Sequence, residues 1–172
     1  MHVLRTVLEH AQNKGVAVGH FNVSDLVLLR AVFGSARELN VPVVVGASDG
    51  ERQFMGVRQL AAVVQSLREE FDFPIVLNSD HTHSLDQAVD AAKAGFDAVV
   101  FDASALPFEQ NVKRTKEAVE RLKTINPAIL VEGETGDIGV GSEIHEEVPD
   151  QSSTLTTAKE AREFVESTGI DS

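Results

Sequence analysis

Five times along the chain, an apolar run gives way to a residue that can carry a proton, a metal ion or a sugar hydroxyl. These are Asn22, Ser48, Asp80 followed by His81, Asp102, and Glu132 followed closely by Glu134. An imidazole and several carboxylates gathered at one place make a set of N and O donors suited to a divalent cation. The chain has no cysteine, which excludes a thiolate metal site, a thiol nucleophile and a disulfide framework. Any one of these residues could follow a strand by chance; their recurrence after successive runs is the signal. At Asp80-His81 the switch is abrupt, because Ile75, Val76 and Leu77 are apolar and polarity begins at Asn78. Neighbouring side chains at a strand end can diverge, which would let His81 bind a metal while Asp80 handles a proton.

The runs themselves, residues 16–23, 41–47, 74–78, 97–101 and 128–131, are rich in β-branched residues and alternate with amphipathic stretches. Helices are expected over 24–39, 57–71, 84–94, 108–123 and 156–167, with Ser24 as N-cap of the first and Gly95 closing the third. Near-continuous apolar strands between helices predict an α/β fold whose parallel sheet is buried on both faces. A doubly wound dinucleotide-binding sheet would carry a glycine fingerprint after its first strand, and His20-Phe21-Asn22-Val23-Ser24 has none. The expected architecture is a parallel (β/α)8 TIM-type barrel, in which the C-terminal strand ends converge on one rim. Eight units take about 250 residues. Read as a single domain over 1–172, this chain carries about five and a half, with Ile170 opening a sixth run. It is expected to be the N-terminal part of an incomplete barrel.

Fifteen Lys and Arg against 27 Asp and Glu give a net charge of −12. Nucleic acids and anionic membranes recruit basic faces, so neither is an expected partner. No apolar stretch approaches the roughly 20 residues that span a bilayer, and residues 1–15 lack the apolar core of a secretory signal. A cytoplasmic protein is expected. An open section of barrel leaves edge strands unpaired, which predicts self-association into a homo-oligomer.

Several segments carry a combined likeness: Gly19-His20-Phe21-Asn22-Val23; Val41-Pro42-Val43-Val44-Val45-Gly46-Ala47-Ser48; Ser79-Asp80-His81; Phe101-Asp102-Ala103-Ser104 with Leu106-Pro107-Phe108-Glu109 and Asn111; and Glu132-Gly133-Glu134-Thr135-Gly136. Together they resemble the class II, metal-dependent fructose-bisphosphate/tagatose-bisphosphate aldolases. The resemblance implies a lyase of carbohydrate metabolism and glycolysis, which splits a phosphorylated ketose into dihydroxyacetone phosphate and an aldehyde. It implies Asp80 as the proton donor and acceptor beside the cleaved bond, and His81 as the first ligand of a catalytic Zn²⁺. Asp102 and Glu134 match carboxylates linked to a second cation, divalent or monovalent, and Asn22 and Ser48 match contacts to the phosphorylated sugar substrate. The other aldolase strategy needs a Schiff-base lysine at a strand end; Lys93, Lys113, Lys116, Lys123 and Lys159 fall on expected helices and Lys14 precedes the first strand.

The chain also departs from the family's pattern. Asn78 stands where a histidine is usual, and Thr82-His83 where small residues are usual. Gly139-Val140-Gly141-Ser142-Glu143 places a glutamate one position late, which makes Glu143 the candidate loop base with Glu146 and Glu147 as competitors. The family's two further zinc-binding histidines and its phosphate-binding loops lie beyond the sixth strand, past Ser172. Two other readings stay open: an inactive barrel fragment or pseudoenzyme subunit, and another metal-dependent barrel lyase with a different carbonyl substrate.

Overall fold

The computed structural model describes residues 4–136 and 155–172. In chain order its elements are α1 (Leu4–Lys14), β1 (Gly19–Asn22), α2 (Leu26–Leu39), β2 (Val43–Ala47), α3 (Asp49–Met55), α4 (Val57–Phe71), β3 (Ile75–Thr82), α5 (Leu85–Ala94), β4 (Ala98–Phe101), α6 (Phe108–Ile125), β5 (Leu130–Gly133) and α7 (Ala158–Thr168). The strands form one parallel sheet in the order β1-β2-β3-β4-β5. Strictly sequential order is what a barrel requires, whereas a doubly wound sheet reverses direction at its switch point. Beyond α7, the Asp171 N–H donates to Val131 O at 2.8 Å and the Gly133 N–H donates to Ser172 O at 3.0 Å. The run opened by Ile170 therefore lies alongside β5.

Alternation along the strands divides the apolar residues between two faces. Val43, Val45, Ile75, Leu77, Val99 and Val131 pack against the helices, meeting Leu29, Phe33, Leu60, Val64, Leu122 and Phe164. Val44, Val76 and Leu130 form a smaller cluster on the opposite face, closed by Leu4 of α1. At the β1 edge all four residues of the strand are exposed. Among the described residues, no helix is long and apolar enough to cross a membrane.

Local boundaries differ from the sequence expectation in instructive places. Asp25, not Ser24, caps α2, because its Oδ1 accepts the Leu28 N–H at 2.7 Å. The sequence reading lacked α3 altogether; its first turn is tied by the Ser48 N–H donating to Glu51 Oε2 at 2.6 Å. Strand β3 runs on to Thr82, four residues past the expected end at 78. Asn78, Ser79 and Thr82 are buried polar residues within it, and the Ser79 and Thr82 hydroxyls lie 2.8 Å apart and bond each other. That mutual pairing lets Ser79 and Thr82 occupy a buried strand, whereas Asn78 Oδ1 is buried without a hydrogen-bond partner among the described residues.

The end of the sheet opposite the polar residues is held by charge. Arg68, in the last turn of α4, donates Nε to Ile75 O at 2.8 Å and pairs with Asp97, whose Oδ2 also accepts the Leu77 N–H at 2.7 Å. The same device recurs two strands later. Lys123, in the last turn of α6, donates to Ile129 O and to Asp171 Oδ2 at 2.7 Å, and that Oδ2 accepts the Val131 N–H at 2.9 Å. Arg5 of α1 pairs with the other oxygen of Asp171.

Burial alone would raise the Asp171 pKa, but the bonds from Lys123, Val131 N–H and Arg5 outweigh it and hold the carboxyl below its ordinary value. A depressed carboxylate stabilises the fold above its unfolded pKa of about 4. That contribution disappears as pH falls through the lower folded value. Asp171→Asn should cost about 1 kcal/mol at pH 7, less than the usual hydrogen bond to a charged group because solvent screens the site. Urea midpoints of the two proteins should converge as pH is lowered from 7 toward 3; a gap that stays constant would contradict this account.

Candidate functional site

The polar residues named from the sequence gather at the C-terminal ends of β1 to β5, and each is delivered there by a local feature of its strand. Asn22 closes β1 and pairs in register with Gly46 of β2. A Cβ at position 46 would collide with Asn22 Oδ1 and with His20 Nε2. Glycine is therefore required for Asn22 to lie across β2 and reach β3, where its Nδ2 donates to Asp80 Oδ2 at 2.8 Å. Sequence reasoning assigned Asn22 and Ser48 to substrate. The structure places Asn22 on the Asp80 carboxylate, and puts Ser48 at the start of α3 with its N–H on Glu51.

At Asp80-His81 the strand breaks its own rhythm. Ser79 pairs with Val99 and Thr82 with Phe101, three steps on β3 against two on β4, so β3 carries one extra residue. His81 absorbs it with φ of +42°, a left-handed conformation that costs a residue with a side chain about 1–3 kcal/mol. Regular alternation would send Asp80 and His81 to opposite faces of the sheet. The bulge instead turns both along the rim, Asp80 toward β1 and His81 toward β4 and β5. The His81 Nδ1 lies 3.3 Å from Asp102 Oδ2 and 3.0 Å from Glu134 Oε1.

His81, Asp102 and Glu134 each offer a ligand atom, and these atoms all lie within 4.8 Å of one another. Asp102, just past β4, is braced by Ser104, whose hydroxyl and N–H donate to Oδ1 at 2.6 and 3.0 Å. Glu134, just past β5, is held through its backbone, its carbonyl accepting Asn111 Nδ2 of α6 at 2.7 Å. His83 stands beside the group, its Nδ1 3.6 Å from Asp102 Oδ2. Ser104 and His83 were not singled out as site residues from sequence; Ser104 sat two places from Asp102, the spacing of a side chain that bonds its neighbour's carboxylate. Glu143, the candidate loop base, lies outside the described residues, as do His145, Glu146 and Glu147.

The electrostatics of the trio favour a cation. Burial tends to lower the His81 pKa, but the Asp102 hydrogen bond and the charges of Glu134, Asp80 and Asp102 prevail and raise it. Glu134 is pushed up by burial and by Asp102, with Glu132 and Asp80 adding to the effect against His81. Burial also pushes Asp102 up, yet the Ser104 bonds, with His81 and His83, bring it below its ordinary value. Two carboxylates thus compete for one proton on His81. A divalent cation satisfies both at once, and one imidazole nitrogen with carboxylate oxygens is a donor set that fits it.

A family model described as Fructose-bisphosphate aldolase class-II matches residues 2–172. Among solved structures, the YdjI aldolase from Escherichia coli K12 is similar, with a TM-score of 0.81 and 30% identity, covering 98% of this chain and 61% of that chain. A fructose-bisphosphate aldolase from Campylobacter jejuni shares the fold with a TM-score of 0.79 at 22% identity, covering 96% of this chain and 53% of that one. The chain therefore spans less than two thirds of the length of these relatives, and its sheet is part of a TIM-type α/β barrel.

Direct binding tests the trio. By titration calorimetry with Zn²⁺, Ser104→Ala should weaken binding by about 10-fold, the usual effect of removing a hydrogen bond that orients a ligand. His81→Ala should weaken it more, and Lys113→Ala, on an exposed part of α6, should leave it unchanged. Wild-type affinity in His81→Ala would place the metal elsewhere.

Proposed function

Because the chain belongs to the class-II fructose-bisphosphate aldolase family, we propose that it is the metal-holding, N-terminal part of an aldolase barrel. The reaction in this reading is lyase chemistry: a phosphorylated ketose is cleaved to dihydroxyacetone phosphate and an aldehyde. The observation that carries it is the divergence at the β3 bulge, which puts the Asp80 carboxylate beside a cation-favouring trio. His81 would hold Zn²⁺, with Asp102 and Glu134 serving it or a second cation, and the bound metal would supply Lewis acidity for the negative charge left on the three-carbon fragment.

The remaining work falls to the chain's own residues. Asp80 takes the proton from the hydroxyl on the carbon that becomes the aldehyde, so the adjacent carbon–carbon bond can break, and returns it in the condensation direction. Asn22 Nδ2, bonded to Asp80 Oδ2, keeps that carboxylate turned toward the rim. Ser48, at the head of α3, and Asn22 border the space where the sugar phosphate would lie. Glu143 is the candidate for the second proton transfer, to the carbon of the dihydroxyacetone phosphate fragment.

The reading separates proton transfer from metal binding, and mutation separates them too. In the intact protein assayed with fructose and tagatose bisphosphates, Asp80→Ala should lower turnover by about 10²–10⁴-fold while retaining its zinc. His81→Ala should lose the metal and the activity together. Unchanged turnover in Asp80→Ala would reject the assignment.

A further inference from the structure

Arg52 was not among the residues that the sequence brought forward, yet it is only 3% exposed and lies directly beneath the rim. It sits on α3, and its Nη1 donates to two backbone carbonyls, Ala47 O at the end of β2 and Asp80 O within the bulge, the latter at 2.8 Å. Its Nη2 is 3.5 Å from Asp49 Oδ1, and that same oxygen accepts Gln87 Nε2 of α5 at 2.8 Å. Burial draws the Arg52 pKa down against the opposing charges of Asp49, Asp80 and Glu51. An apolar residue of similar length would fill this space without a buried charge. What it could not do is donate to both carbonyls.

We propose that Arg52 is a positioning residue for the site: by holding the Asp80 carbonyl against the end of β2, it fixes the bulge that turns Asp80 toward Asn22 and His81 toward Asp102 and Glu134. The bulge disrupts the strand ladder locally, and the guanidinium supplies a donor there. It acts one peptide away from His81, whose left-handed backbone needs the surrounding structure to hold it. With the carbonyl released, β3 can return to regular alternation, which carries the imidazole off the rim and leaves Asp102 and Glu134 without it. Asp49 and Gln87 complete the arrangement by tying the guanidinium to α5. The inference rests on the aldolase reading for its functional meaning, and on geometry alone for the link between Arg52 and His81.

The experiment reads the two separately. In the intact metal-free protein, the ring ¹⁵N shifts of His81 report its bond to Asp102 and its place beside Glu134; Arg52→Met should move them toward those of a free imidazole. Arg52→Lys, which keeps a donor but loses the fork, should move them less, and it carries the test if Arg52→Met does not fold. With Co²⁺ added, Arg52→Met should bind about 10-fold more weakly and show an altered visible absorption spectrum. A lower melting temperature with His81 ring shifts at their wild-type values would overturn the proposal, because that is the signature of a residue that only supports the fold. Wild-type protein that binds no Co²⁺ would instead count against the metal-dependent reading, and the ring shifts would still decide the role of Arg52.

Discussion

One extra residue in β3 governs the chemistry available to this molecule. Side chains on a strand alternate with period two, so a regular β3 would offer the rim either Asp80 or His81. The bulge between Ser79 and Thr82 and the left-handed backbone of His81 release the pair from that alternation. A proton carrier and a metal donor then share one strand end. The neighbouring features follow from it: Gly46 is bare so that Asn22 can reach the Asp80 carboxylate, and Ser104 and Asn111 fix the partners that His81 turns to meet.

The sheet keeps its means of stability at the other end. Leu4, Val44, Val76 and Leu130 fill the lower interior, and carboxylates entering β4 and the run after α7 tie each strand to the helix end and strand before it. Strain and like charges are concentrated at the top, where two carboxylates crowd one imidazole. This division is general to β/α barrels, in which the C-terminal rim carries function and the N-terminal end carries stability.

Much of this organisation could be read in the chain. The β-branched runs and the amphipathic stretches between them placed every strand; burial demands the continuous apolar run in β2, while β1 carries its run exposed at the sheet edge. The abrupt change at Asn78 marked the rim residues. Other features depend on pairing between distant segments and were illegible: the bulge exists only relative to β4, and nothing in Ser79-Asp80-His81 announces it. The polar residue Ser79 fell outside the expected run, yet it is strand, because its hydroxyl finds Thr82. The helix α3 had a local signal in Ser48-Asp49-Gly50-Glu51, a serine followed by glutamate three places on, that the apolar periodicity overshadowed. With that helix unseen, Arg52 had no location, and its contact with the Asp80 carbonyl could not be anticipated.

The paired clamps at the base have a mechanical consequence for the rim. One joins β3 to β4 through Asp97, and the other joins β5 to the next run through Asp171. Among the described residues the boundary between β4 and β5 has no such clamp. There the strands are joined by an unbroken backbone ladder, Ala98 to Phe101 against Leu130 to Gly133. His81 and Asp102 stand on one side of that boundary and Glu134 on the other. A cation shared by these donors would bridge two strands that no side-chain clamp joins at the base.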